Sequence, residues 1–342
     1  MWFEPLIDYK LLPDRVLRGL CGMSIRRYAS RINRYDNTQI DRIQSDFRHQ
    51  RQSDAIAINT NEANAQHYEI PTDLFATALG KRMKYSSSYW LPSSDGLDDA
   101  ELHTLGLYET RARLEDGQNV LDLGAGWGST TLYLAERHQH SQVTAVTNSH
   151  TQANFIESLS KKKGLGNVRV VKADINSLSF KEKFDRVIAI EMFEHTRNAT
   201  ELIRRIADWL ELDGKLFIQV FSHRFYPQTF DDVRNSWMSR RFFTGGIMPY
   251  DGFYSDCNNM LSHVQTWTES GIHYHKTLEA WLRNLDCGKT PFLLTGKGAS
   301  SKLNPITINR FRMFLITCSE LFKFNHGKDW HLINYLFEKK RG

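Results

Sequence analysis

Residues 119–129 read Asn-Val-Leu-Asp-Leu-Gly-Ala-Gly-Trp-Gly-Ser, and this stretch decides the fold. Val120 to Leu123 is a short apolar strand that runs straight into glycines at 124, 126 and 128. GSTTLYLAERH (128–138) then follows with helical spacing. Glycines at a strand-to-helix turn let the backbone reverse tightly and come close to a ligand. Working outward, the same alternation repeats. QVTAVTNS (142–149) predicts a second strand, and the helix after it is closed by Gly164. NVRVVKAD (167–174), FDRVIAIEMF (184–193) and GKLFIQVFSH (214–223) predict three more strands. Strands alternating with helices imply a parallel sheet covered on both faces, and the near-continuous apolar runs suit strands buried on both sides. HVQTWTES (263–270) and WHLINYLFEKK (330–340) predict the strands that close the sheet.

Composition narrows the class. At 342 residues, 41% hydrophobic and 24% charged, the chain can bury a core without disulfides. Cys21, Cys257, Cys287 and Cys318 form no CxxC pair, so a structural zinc site and a disulfide scaffold are not expected, and no metal is assigned. The start MWFEPLIDYKLL lacks an apolar run of signal-peptide length, and no stretch has transmembrane length. A reducing, cytoplasmic setting is the expectation. The net charge of +5 is mild and reads as a solvated basic face. No nucleic-acid-binding motif is present, so no nucleic-acid partner is expected.

Two segments break the alternation. Residues from about 10 to 60 are polar and helical in pattern, with LLPDRVLRGL and RIQSDFRHQR as helices. QSDAIAINTNEANAQ (52–66) reads as the linker out of this arm. After Ser222 some forty residues are rich in aromatics, too long for an ordinary connection, and predict a cap over the site at about 223–262.

The glycine loop departs from the dinucleotide pattern. Ser129 stands where GxGxxG has its third glycine, and the second strand ends in Asn148 rather than an acid. A glycine-rich turn in a generic doubly wound protein is the plain alternative. GxGxG after an acidic strand end resembles the S-adenosylmethionine (SAM) loop of class I methyltransferases. That resemblance implies SAM as methyl donor, with S-adenosylhomocysteine (SAH) as product. Asp122, Gly124, Gly126 and Gly128 would hold its methionine part, Asn148 and Gln152 would face the ribose, and Asp174 and Ile175 the adenine. The fold class expected is then α/β, a Rossmann-like, mostly parallel seven-stranded sheet with helices on both faces, a helical N-terminal extension and an aromatic-rich cap.

FDRVIAIEMFEH places Glu191, Glu194 and His195 beyond the fourth strand, where ligands of open parallel sheets sit. If the segment turns helical, positions i, i+3 and i+4 share a face, and two carboxylates meet an imidazole. An amine acceptor is protonated at neutral pH. Carboxylates can bind the ammonium, and His195 can take its proton. The structural alternative is an N-cap cluster complementing a helix dipole.

A broader resemblance covers the chain from about residue 64 onward. QHYEIPTDLF (66–75), KYSSSYW (84–90), VLDLGAGWGS, IEMFEH, RFFTGGIMP (241–249), HYHKTLEAWL (273–282) and CSELFKFNHGKDW (318–330) are collinear motifs. Together they resemble the coclaurine N-methyltransferase-like branch of the cyclopropane-fatty-acid-synthase superfamily. The resemblance implies that Tyr85 and Ser86 contact the SAM carboxylate end. It makes Glu194 and His195 the catalytic pair, supported by Glu191. In the synthases of that superfamily, bicarbonate serves as base, held by a cysteine and a strand histidine. Here those positions are Ser87 and Gln219, and Glu191 stands where the synthases have glycine. Tyr274 matches a tyrosine of both branches.

The expected organisation is a helical extension, residues 1–110, contributing to the SAM site, and a methyltransferase domain, residues 111–342. Trp237, Phe242, Phe243 and Tyr274 are expected to wall the acceptor, since aromatic faces suit cationic amines. The expected reaction is N-methylation of a small amine with an apolar or aromatic body. The alternatives are cyclopropanation or C-methylation of unsaturated phospholipid acyl chains, with peripheral membrane contact, and a non-catalytic SAM-binding protein. A homodimer is left open.

Overall fold

The computed structural model describes residues 3–52, 55–58, 72–231, 236–288 and 304–339. All seven expected strands form and join one sheet. They are β1 (Asn119–Leu123), β2 (Gln142–Thr147), β3 (Val168–Lys172), β4 (Phe184–Ile190), β5 (Leu210–His223), β8 (Leu261–Glu269) and β9 (Trp330–Lys339), where β6 (Gln228–Thr229) and β7 (Ile247–Met248) form a separate ribbon. The order is β3-β2-β1-β4-β5-β9-β8. The first five strands pair in parallel, and β9 and β8 add antiparallel. The sequence therefore leaves β1 on one side for β2 and β3 and on the other for β4. Such a reversal opens a crevice at the carboxyl ends of β1 and β4.

The covering helices are amphipathic for identifiable reasons. Helix Ala199–Trp209 buries Leu202, Ile203 and Ile206 and turns Arg204, Arg205 and Asp208 outward. Each such burial is worth about 1.5–3 kcal/mol. Asn198 caps it by accepting the Glu201 N–H at 3.0 Å. Helix Ser129–Arg137 carries the glycine loop on its N-terminus and buries Leu132 and Leu134.

The N-terminal arm packs on its own chain. Helix Asp14–Ile32 lies along helix Pro305–Lys323, where Asp14 pairs with Arg312 and Arg18 with Glu320, and Arg18 also reaches Glu279 of helix Gly271–Asp286. The second expected arm helix, Asn37–His49, starts with a capping box between Asp36 and Gln39. The linker expected at 52–66 lies mostly outside the described residues. The cap after Ser222 holds the β6–β7 ribbon and two short helices, Trp237–Arg241 and Phe253–Asp256. No described helix is long and apolar enough to cross a membrane, and no described cluster of side chains could hold a metal.

Candidate active site

A cavity of about 300 Å³ opens at the crevice between β1 and β4. Its floor is the glycine loop. Gly124 and Ala125 donate their N–H groups to the Val146 carbonyl, which ties the turn to β2. Gly124, Gly126 and Gly128 all have positive φ. At Gly126 (φ +54) a Cβ would meet no protein atom, so the loop leaves open space beside the cavity. Gly128 serves packing instead. Its Cβ would stand 2.7 Å from Ile156, so this glycine lets two helices approach and does not line the cavity. Asp122 is buried at the end of β1. Burial pushes its carboxyl up to about 6, against the Thr131 hydroxyl, which donates to it at 2.6 Å.

The end of β2 supplies Asn148 and Gln152 to the wall. The Thr147 hydroxyl donates to Gln152 Oε1 at 2.7 Å and so fixes which end of the amide faces inward. Ile175 lines the cavity, but Asp174 does not. Asp174 accepts the Asn176 N–H at 2.8 Å, and Asn176 in turn brackets Ala57 with two hydrogen bonds. Ala57 and Ile58 thereby close one side of the cavity. They come from the stretch read as a linker, and no sequence signal marked them.

EMFEH does not continue as an α-helix, and the three titratable groups do not share one face. Glu191 sits at φ +48, and Phe193–His195 is a single 3-10 turn. Glu191 and His195 line the cavity, whereas Glu194 is turned into the protein. The Glu191 carboxylate is held by three donors: Ser87 N–H at 2.9 Å, the Gln219 amide at 3.1 Å and the Tyr274 hydroxyl at 2.8 Å. Burial raises its carboxyl, and the nearby Lys84 and these donors oppose the rise. Lys84 is itself fully buried, donates to Ser86 Oγ at 2.7 Å and to the Ser87 carbonyl, and burial holds it down to about 8. Glu194 accepts the Phe221 N–H at 2.8 Å on one oxygen, and burial drives its carboxyl well above the usual range. His195 packs on Phe243, ring centroids 4.9 Å apart, and burial lowers it to about 4. The imidazole is therefore neutral at physiological pH.

The remaining wall is aromatic. Tyr85, Ser86, Phe243 and Tyr274 line the cavity. Trp237 and Phe242 do not. Phe242 stacks on Phe314 at 4.7 Å and Trp237 packs against Phe242, so both support the wall from behind. The sequence reading missed Lys84, buried behind Ser86 and Ser87 inside the KYSSSYW motif, and missed Phe314, Cys318, Leu321 and Phe322, which line the cavity. These last four come from helix Pro305–Lys323, whose approach to the site is a long-range packing event.

Comparison with known proteins follows the same lines. The family model described as mycolic acid cyclopropane synthetase matches residues 57–332. The (S)-coclaurine N-methyltransferase of Thalictrum flavum subsp. glaucum is 36% identical over 291 residues, 83% of this chain and 81% of that protein. The (S)-coclaurine N-methyltransferase of Papaver somniferum is 31% identical over 344 residues, 98% of this chain and 97% of that one. A crystal structure of coclaurine N-methyltransferase bound to N-methylheliamine and SAH matches with a TM-score of 0.91 at 31% identity, covering 98% of this chain and 99% of that chain.

Proposed function

Because the chain belongs to the mycolic acid cyclopropane synthetase family, and within it to the coclaurine N-methyltransferase-like branch, we propose that it methylates the nitrogen of a small amine with an apolar or aromatic body. Membership makes it a SAM-dependent methyltransferase of class EC 2.1.1. The residues present suit that donor. A buried carboxyl at Asp122, the open space at Gly126 and the oriented amide of Gln152 offer acceptors, room and a polar contact along one side of the cavity. Asp122, Gly124, Gly126, Asn148, Gln152, Ile175, Tyr85 and Ser86 would hold it, with Gly128 and Asp174 acting from behind as packing and turn residues. Bound there, SAM supplies a methyl carbon already activated by its sulfonium.

The observation that carries the amine reading is the setting of Glu191. Ser87, Gln219 and Tyr274 converge on its carboxylate. By the family resemblance, two of these three are the positions that hold bicarbonate in the synthases. The protein's own carboxylate thus takes the place of a bound anion. A carboxylate fixed to the chain at a cavity wall is suited to meet an ammonium.

Deprotonation follows from burial. Burial disfavours charge here, lowering His195 on the cavity wall and Lys84 behind it. The same desolvation weakens an incoming ammonium as its proton's holder. Glu191, whose carboxyl is raised, and neutral His195 stand on the wall to receive that proton. Glu194 acts as a positioning acid: its bond to Phe221 N–H fixes the turn that presents His195 to the end of β5. Phe243 and Tyr274 face the acceptor's apolar body, and Trp237 and Phe242 keep that wall in place. Alignment is the main task left, since holding donor and acceptor in line removes an entropic barrier.

The test is to incubate the protein with methyl-labelled SAM, a panel of primary to tertiary amines and unsaturated phospholipid vesicles, and to follow the label by mass spectrometry. Label on an amine nitrogen is the expected result. Label in the acyl chains would overturn the reading and return the protein to lipid chemistry.

A further inference from the structure

Helix Asp14–Ile32 has two apolar faces, and the fold covers one of them. Ile25 and Ala29 pack with Phe311, Leu315 and Ile316 of helix Pro305–Lys323, and Ile32 is buried. On the opposite side Val16, Leu20 and Met23, spaced i, i+4, i+7, are 44%, 49% and 45% exposed. Single exposed aliphatics are ordinary, but three in register along one helix face form a stripe about 10 Å long. Tyr9 and Leu11, in the turn that leads into the helix, are 67% and 60% exposed.

The charge around this stripe has one sign. From Arg15 to Tyr35 the chain carries six arginines and no acidic residue. Arg18 is held by Glu279 and Glu320. Arg15, Arg26, Arg27, Arg31 and Arg34 are exposed. On a helical wheel Arg27 and Arg31 continue the line of Val16, Leu20 and Met23, while Arg15 and Arg26 flank it.

We propose that this face of helix Asp14–Ile32 docks on an anionic lipid bilayer. The aliphatic stripe would enter the boundary between headgroups and acyl chains, and the arginines would meet lipid phosphates and carboxylates. Charge complementarity selects this occupant over a second copy of the chain. A two-fold contact through the same face would bring the arginines of both copies together without an acidic partner on the segment. The docked helix lies one layer from the cavity. Helix Pro305–Lys323 touches it through Thr317 and Glu320, and lines the cavity through Phe314, Cys318 and Leu321. Membrane docking at this place does not depend on which amine is methylated.

The experiment is vesicle flotation of the full chain with phosphatidylcholine alone and with phosphatidylcholine containing phosphatidylserine, at low and high salt. The protein should float with the anionic vesicles only, and high salt should release it. Leu20→Glu with Met23→Glu should lower partitioning on the order of tenfold or more, by placing charge where apolar contact is needed. Arg26→Gln with Arg27→Gln should lower it by about tenfold, and methyl transfer in vesicle-free buffer should be unchanged in both variants. Equal binding to both vesicle types, or binding to neither, would overturn the proposal. So would a dimer in light scattering that Leu20→Glu with Met23→Glu dissociates, since the face would then belong to a second copy.

Discussion

His195 offers a measurement of how the cavity treats charge. Its ordinary value is 6.5 and burial brings it to about 4. The folded protein thus favours the neutral imidazole. Below pH 6.5 the unfolded chain takes up a proton that the folded chain refuses until about pH 4. More protons are then bound in the unfolded state, so stability falls as the pH falls through that window and is unaffected above it. The size of the shift sets the loss at about 2 kcal/mol by pH 5 and about 3 kcal/mol once pH 4 is passed. Other buried groups, His223 among them, add to the acid sensitivity of the wild type. The informative quantity is therefore a difference between proteins. His195→Gln carries an amide that stays neutral at every pH. Urea denaturation of both proteins at pH 7.5 and pH 5, without ligand, should show the variant losing about 2 kcal/mol less than the wild type. Parallel losses, agreeing within about 0.5 kcal/mol, would mean that His195 is hydrated and ordinary. The proposed role of His195 as a neutral base in a dry wall would then fail.

The two glutamates of the turn should separate cleanly under mutation. Glu191→Gln removes a carboxylate that faces the cavity, and label transfer to the amine should fall on the order of 10²–10⁴-fold; a fall of a few-fold would remove Glu191 from proton transfer. Glu194→Gln keeps an acceptor for Phe221 N–H and reproduces a neutral acid, so activity should stay within several-fold of wild type, and a collapse would show that Glu194 acts as an anion. Glu194→Ala strands that buried N–H and should lower stability by about 1–3 kcal/mol in a urea melt, while no change would deny the bond. Gly126→Val puts a β-branched side chain at φ +54 beside open space, so calorimetry should show SAM binding lost with the fold retained in circular dichroism; normal affinity would place the donor elsewhere.

The sheet was legible because its central strands are local apolar runs between turn signals, while the edge strands β3 and β8 are more polar and only partly buried. The glycine loop was legible for the same reason, since its spacing is a local property of the backbone. The site was legible only in part. The sequence places Glu191, Glu194 and His195 beyond β4, and the structure puts Glu191 and His195 on the cavity wall and Glu194 away from it; the expected helical face does not form, because a positive φ at Glu191 is invisible in a run of ordinary residues. Phe243 could be separated from Phe242 only by the packing of Phe314 against the latter, a contact between distant parts of the chain. Ala57 and Ile58 were hidden in a polar stretch, because what brings them to the cavity is the side chain of Asn176.

The reversal at Glu191 explains why two like residues three positions apart serve different ends. Glu191 follows directly on β4, and its own N–H still completes the ladder to the Gln219 carbonyl at 2.8 Å. The left-handed conformation then swings the chain so that its carboxylate meets donors from three separate elements: the Ser87 segment, β5 and helix Gly271–Asp286. Lys84 reaches the Ser87 segment from the other side and supplies the positive charge that a buried carboxylate needs. Burial, and after it the nearby Glu191, drives the Glu194 carboxyl well above the usual range. Burial raises both carboxyls, but at Glu191 Lys84 and three donors oppose the rise, whereas at Glu194 the Phe221 N–H is a lesser counterweight. The fold achieves this by backbone placement and one buried lysine, with His195 held neutral between a turn that Glu194 anchors and an aromatic wall.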